Sequence, residues 1–416
     1  MGARKTVSRA DLLPYPDALR RLLSVTSSPR MGLERMERLL ALCGAPHRQL
    51  RALHVAGTNG KGSTLAFCSA LLDEAGLRWG RTTSPHLTCA RERIVVDGAL
   101  VDEPTFCRVE ADVASAALQM LDDPPTFFER MTALAFCVFA EAHLDVVLVE
   151  VGLGGRLDAS NVLRPVACGI GRIAKDHTRW LGDTVEAIAG EKAGILKADT
   201  PAFVVDQSDV VLDVIRTRAA DVGTAVEVVS PVDVDVKLGL PGAHQRSNAA
   251  LALALVSAAG ISLDDARQRR ALAHAAWPGR LESLGDGRIT LDGAHNEDAA
   301  AALASSFVPP STPWTLIMGA TDGHDAGAFA QRLVDGGLAP GHVVVTQASA
   351  PRSTSADVIV KDVRRAFPDA TTAGLDDVRT LLTSSTPVLV TGSLYLVGEV
   401  RSWLTDMPVD PVLPLF

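Results

Sequence analysis

A basic surplus is missing from this chain. Lysine and arginine total 40 against 49 aspartate and glutamate, for a net charge of −9 over 416 residues. That mild acidity favours solubility and offers no positive field for gripping a phosphate polymer, so nucleic acid is not an expected partner. Long apolar runs are missing too. The basic start Met1-Gly2-Ala3-Arg4-Lys5 is not followed by an apolar run long enough for a signal peptide or membrane span, which argues against a membrane partner and makes the cytoplasm the default. The six cysteines, Cys43, Cys68, Cys89, Cys107, Cys137 and Cys168, all lie in the first half, widely separated and without Cys-x-x-Cys spacing. Zinc and redox roles are therefore disfavoured, and the thiols are expected to be reduced and mostly packed. Neither a fixed-period repeat nor a low-complexity tract is found, so solenoid and array architectures drop out. What is present is 47% hydrophobic and 21% charged, a balance for extensive burial rather than disorder. At this length two domains are expected.

From Leu53 onward short β-type runs alternate with longer helical ones, the pattern of βα units around a largely parallel sheet. Leu53–Ala56 reads as the first strand and Ser63–Ala75 as the helix that follows, with Gly76 as its stop. Ile94–Val96 and Ala99–Val101 flank Asp97-Gly98, a tight-turn dipeptide, and are predicted to form a hairpin. Phe127, Met131, Leu134 and Val138 fall at helical spacing within 127–143, and the adjacent face is apolar too, so that helix is largely buried. Val146–Val149 is a continuous apolar run suited to a central parallel strand. Glu150 ends it, beyond the carboxyl edge where open α/β sheets bind ligands. A second series, with strands predicted at Ile289–Asp292, Thr315–Gly319, His342–Thr346 and Val388–Thr391 and a helix at Glu297–Ser306, reads as a smaller α/β domain. Trp277-Pro278-Gly279-Arg280 and Gly285-Asp286-Gly287 suit a hinge, which places the boundary near 286 and the domains at 1–285 and 286–416.

Gly57-Thr58-Asn59-Gly60-Lys61-Gly62-Ser63 joins the first strand to its helix, where unshielded backbone N–H groups and a helix N-terminus surround phosphate oxygens and Lys61 adds a charge. Gly62 between Lys61 and Ser63 breaks the strict P-loop pattern. The plainer alternative is a Gly-rich turn with an exposed lysine.

With its context the loop resembles that of the Mur-ligase superfamily, in its folylpolyglutamate synthase/dihydrofolate synthase branch. The same branch is matched in order by Met31–Met36, Thr83–Leu87, Glu92-Arg93-Ile94, Gly152–Asn161, Asp176-His177-Thr178, Glu191–Ile195, His244-Gln245 with Asn248-Ala249, Trp277–Glu282, Asp292–Asn296 and Thr391–Tyr395. The resemblance implies a P-loop-type, mostly parallel sheet domain that binds ATP, followed by a smaller Rossmann-like glutamate-ligase domain. It implies ATP contacts at Thr58, Asn59, Gly60, Lys61, Gly62, Ser63, Asn248, Arg280, Asp292 and His295. Two magnesium ions are implied on Ser63, Ser84, Glu150, His177 and Lys192, the last carbamylated, with Lys61, His177 and Lys192 catalytic. Ser63, Ser84 and Glu150 offer the hard oxygens magnesium prefers, and a buried Glu150 calls for a cation nearby. By composition alone His177 reads as a helix-capping or core residue, and Lys192 as a surface lysine. The pterin substrate is assigned to Thr126, Phe127, Phe128 and Glu129, and to Leu157, Asp158 and Ala159; either phenylalanine fits a core role equally well.

The implied reaction is ATP-dependent ligation of L-glutamate to dihydropteroate or to a folate through an acyl phosphate, by a monomer. The alternative is a Mur-like amino-acid ligase of another pathway with a non-folate carboxylate. Two departures bear on the acceptor. Gly319-Ala320-Thr321-Asp322-Gly323-His324-Asp325 stands where the branch usually has Asp-Lys-Asp, leaving His324 as a pH-dependent substitute for lysine. Arg172 and Lys175 replace residues more often neutral.

Overall fold

The strand at Val146–Glu150 is buried along its whole length, as its unbroken apolar run requires, and it lies in the middle of an eight-stranded sheet. In the computed structural model, which describes residues 12–25 and 30–410, that sheet comprises β1 (Ala52–Ala56), β2 (Trp79–Thr82), β3 (Val95–Val96), β4 (Ala99–Leu100), β5 (Val146–Glu150), β6 (Ala167–Ile170), β7 (Ala202–Val205) and β8 (Val226–Val229). The order is β4-β3-β2-β5-β1-β6-β7-β8. All pairings are parallel except those of the β3–β4 hairpin and its junction with β2. The predicted hairpin turn is present, with Asp97 and Gly98 at φ 48° and 79°. Because β1 and β5 are parallel neighbours with Val55 opposite Glu150, the loop after β1 and the carboxylate ending β5 emerge side by side. The basic residues Met1–Lys5 lie outside the described residues.

The helix after β1 runs Lys61–Ala75 and ends at Gly76 with φ 71°, as expected. It begins ahead of Ser63 because Gly60, at φ 86°, is already its N-cap. The helix Phe127–Ala142 starts on a reciprocal cap between Thr126 and Glu129 and stops one residue short of His143, which takes φ 50°.

A second sheet holds β9 (Glu282–Leu284), β10 (Ile289–Leu291), β11 (Thr315–Met318), β12 (His342–Val345), β13 (Thr371–Thr372) and β14 (Val388–Thr391), ordered β13-β12-β11-β14-β10-β9. Its helix Glu297–Ser306 is capped by Asn296. This sheet starts at Glu282, ahead of residue 286. Gly285, Asp286 and Gly287, at φ 57°, 56° and 86°, form the turn of an antiparallel β9–β10 pair, so a passage expected to be a hinge belongs to the sheet.

Five of the cysteines are buried and Cys137 is half-buried. No helix among the described residues is long and apolar enough to cross a membrane.

Candidate active site in the cleft between the sheets

A cleft of about 1300 Å³ opens beyond the carboxyl ends of β1 and β5, and every site residue anticipated from the sequence lines it. Its floor is the Gly57–Ser63 loop. The backbone N–H groups of Thr58 and Asn59 both donate to Arg172 O, at 2.8 and 3.1 Å, and Thr58 Oγ1 donates to Ala174 O at 3.0 Å, so the segment after β6 fixes the loop's shape. Gly60 takes a left-handed φ and lies so close to Asn248 that a Cβ would meet Asn248 Oδ1 at 2.4 Å. Gly62, the residue that departs from the strict pattern, packs on the Trp277 indole; a Cβ there would lie 2.9 Å from the ring. Arg81 covers that indole at 4.5 Å from the ring centroid, leaving it little room to retreat. Gly62→Ala is therefore expected to push the loop off its position at a cost of about 1–3 kcal/mol. Thermal denaturation should show a lowered midpoint; an unchanged midpoint would mean that the loop does not need this contact.

Lys61 leaves the first turn of the helix and donates to Gly57 O and Thr58 O at 3.0 and 3.1 Å, with Glu150 Oε1 at 3.8 Å. Glu150 is 8% exposed and accepts from Ser84 N at 3.2 Å. Burial raises its pKa, opposed first by Lys61. Ser63 is buried and its hydroxyl receives Gln245 Nε2 at 3.3 Å. Lys192 is not a surface lysine: it is 5% exposed and its ammonium nitrogen reaches Gly57 O at 3.0 Å. Burial, then the nearby Lys61, pushes its pKa down to about 7. Gly155 makes this burial possible, since a Cβ there would strike the Lys192 backbone at 2.9 Å. His177 does precede a short helix, at φ 50°, but its side chain caps nothing; that side chain is 46% exposed.

On the far wall, the side chains of Thr126 and Glu129 serve mainly to start their helix, and Glu129 also pairs with Arg35 at 3.1 Å. Of the two phenylalanines, Phe127 is core, 2% exposed, with the Arg93 guanidinium over its ring. Phe128 is half-buried and faces the cleft, against a glycine, Gly152, where a Cβ would clash with its ring at 2.3 Å. Asp158 spends its carboxylate on the N–H groups of Gly152, Leu153 and Ser160 at 3.0, 2.8 and 2.9 Å, so it shapes the loop that places Leu157 and Ala159.

The second sheet supplies the roof. Asp292, at the end of β10, accepts from Leu281 N and Ala294 N, both at 2.9 Å, and burial raises its pKa, countered first by Arg280. Burial pushes the His295 imidazole down to about 4. Asn59 of the phosphate loop donates to Asn296 Oδ1 and Asp298 Oδ2 at 3.2 and 2.9 Å, and Arg172 pairs with Asp298 at 3.2 Å. These contacts tie the floor directly to the roof, and they account for one of the two unusual charges; Lys175 is exposed. Asp176, Asp298 and the half-buried His324 also line the cleft, and Asn296 donates to Asp176 Oδ2 at 3.0 Å; the sequence assigned none of them as a ligand of ATP or metal. Three carried a signal: Asp176 beside His177, Asn296 in the matched segment Asp292–Asn296, and His324 in place of the branch's lysine.

Residues 282–404 match the family model for the dihydrofolate synthetase C-terminal domain. The chain is 38% identical over 309 residues to the dihydrofolate synthase/folylpolyglutamate synthase of Bacillus subtilis, covering 66% of this chain and 72% of that one. It is 34% identical over 410 residues to a probable bifunctional folylpolyglutamate synthase/dihydropteroate synthase of Haloferax volcanii, covering 90% of this chain and 48% of that one, so it spans about half of that relative's length. The folylpolyglutamate synthase of Mycobacterium tuberculosis, solved with ADP and AMPPCP, superposes with a TM-score of 0.84 at 32% identity, over 95% of this chain and 99% of that one. The chain belongs to the folylpolyglutamate synthase/dihydrofolate synthase family, a branch of the ATP-dependent ligases of the Mur superfamily.

Proposed function

We propose that this protein uses ATP to join L-glutamate to dihydropteroate, to a folate that already carries glutamate, or to both, and that it does so as a cytoplasmic monomer acting on small molecules. One observation carries the reading: phosphate loop, buried Glu150, buried Lys192 and the roof residues Asp292 and His295 all face one cleft. In this reading the loop N–H groups and the N-terminus of the helix Lys61–Ala75 hold the nucleotide phosphates. Lys61 neutralises charge on the transferring phosphoryl group as it passes to the substrate carboxylate. Asn248 and Arg280 contact ATP from the side, Asp292 and His295 from the roof. Phe128 offers its ring to the flat pterin. The roof keeps water from the mixed anhydride until the glutamate amine attacks.

Ser63, Ser84, Glu150 and His177 fit as holders of magnesium, because all four line one cleft and Glu150 is a buried carboxylate that accepts from Ser84 N; the ions would neutralise phosphate charge there. Lys192 fits carbamylation: its lowered pKa supplies the neutral amine that adds carbon dioxide, releasing one proton and leaving an anionic carbamate near the loop. Glu150→Gln and His177→Ala should each raise the magnesium concentration needed for half-maximal activity by at least roughly tenfold, in line with losing one ligand. Unchanged magnesium titrations in both would move the metal site elsewhere.

ADP release measured separately with dihydropteroate and with tetrahydrofolate, each with and without glutamate, tests the whole reading. Turnover that needs a pterin and glutamate together supports it. ATP consumption with neither pterin, restored by another carboxylate, would favour the non-folate ligase, for which the histidine at 324 in place of the usual lysine is the one feature that speaks.

A further inference from the structure

Asp176, His295 and His324 bring one carboxylate and two imidazoles together where the two sheets meet, with their ligand atoms all within 4.8 Å of one another. Asp176 comes from the segment after β6, His295 from the turn after β10, and His324 from the turn between β11 and the helix Ala326–Asp335. The ring hydrogen bonds decide which nitrogen is available. His295 Nδ1 lies 2.8 Å from Gly293 O, so it carries the hydrogen and leaves a lone pair on Nε2, which is 3.8 Å from Asp176 Oδ2. His324 Nε2 is hydrogen-bonded to Asp176 Oδ1 at 3.3 Å and its Nδ1 lies 3.4 Å from Thr321 O, so Nε2 offers a lone pair in the tautomer that keeps the ring hydrogen on Nδ1. In that tautomer two lone pairs and a carboxylate face one another, an arrangement that a cation among them stabilises.

The carboxylate is itself held in place. Asn296 Nδ2 donates to Asp176 Oδ2 at 3.0 Å and His177 N donates to Oδ1 at 2.7 Å. Outer hydrogen bonds of this kind, a carbonyl on each imidazole Nδ1 and amides on the carboxylate, orient metal ligands. A zinc-class ion with bonds of about 2.0–2.2 Å sets its ligand atoms roughly 3.0–3.5 Å apart, close to the 3.3 and 3.8 Å found here. Two imidazoles with one carboxylate suit zinc, cobalt or nickel better than magnesium, which prefers an all-oxygen shell.

We propose that Asp176, His295 and His324 bind one divalent transition ion of the zinc class, which cross-links the first sheet's loop to two loops of the second. Its ligands are other residues than the magnesium holders Ser63, Ser84, Glu150 and His177, of which His177 comes near with Nε2 3.8 Å from Asp176 Oδ1, and the proposal stands whichever carboxylate is ligated.

Cobalt is the probe. The full-length protein, stripped of metal, is titrated with Co2+ under excess Mg2+ and without nucleotide, pterin or glutamate, so that a failed ligase assignment cannot affect the reading. The expected result is a saturable visible absorption band that Zn2+ abolishes, and a thermal midpoint raised by Zn2+. His324→Ala, His324→Asn and His295→Ala should each weaken Co2+ binding by more than tenfold, while Glu150→Gln keeps the band. Melting of each variant without metal checks that it folds. No band in the wild type at millimolar Co2+, or the same band and affinity in folded His324→Ala, overturns the proposal.

Discussion

Replacing Lys61 by alanine is expected to reduce ligation by at least roughly a thousandfold, the scale found when one preorganised charge partner of a transition state is removed. The lysine is placed for that role by its own helix: at the first position after Gly60 it cannot leave the loop, and its nitrogen is held within 3.0 and 3.1 Å of two loop carbonyls. Gly57 O keeps its bond from Lys192 Nζ at 3.0 Å and Thr58 lines the cleft, so the fold should survive the substitution. Steady-state ADP release together with a thermal melt separates the two effects. Near-normal turnover in a folded Lys61→Ala protein would remove the basis for placing phosphoryl transfer at this loop.

Lys192→Ala should be nearly inactive and partly recovered by small carboxylates such as formate or acetate. A lysine with an ordinary pKa of about 10.5 is neutral in roughly one molecule in 3000 at pH 7, too few to add carbon dioxide readily. With its pKa pushed down to about 7, about half is neutral at that pH, and the neutral share grows as pH rises through that value. Depleting bicarbonate should thus slow the wild type and leave the carboxylate-rescued variant untouched. If formate does nothing and bicarbonate is irrelevant, Lys192 serves as a buried amine and not as a carbamate.

How much of this was legible beforehand depended on how local the cause was. The phosphate loop, its helix and Glu150 at the end of an apolar strand follow from spacing within a few residues. Phe127 and Phe128 were indistinguishable because both begin the same helix; only its packing leaves one ring 2% exposed and the other half-buried against Gly152. Lys192 looked like a surface residue because nothing near it in sequence announces the glycine at 155 that lets it sink. Asn296 and His324 reach Asp176 from 120 and 148 residues away, and no periodicity reports such a meeting. The Gly285–Gly287 passage was ambiguous in kind: glycine with aspartate serves a linker and a tight hairpin equally well.

That hairpin governs where the chain can be divided. Glu282 accepts from Gly279 N at 2.8 Å and from the largely buried Arg401 at 3.0 Å, while its strand covers the outer edge of β10. A fragment beginning at 286 would strip that cover, leave the Arg401 guanidinium without its carboxylate, and present Ile289–Leu291 as a bare edge. Bare apolar edges recruit strands from other molecules, so such a fragment would tend toward self-association and precipitation, whereas one that keeps Glu282 retains its own edge protection.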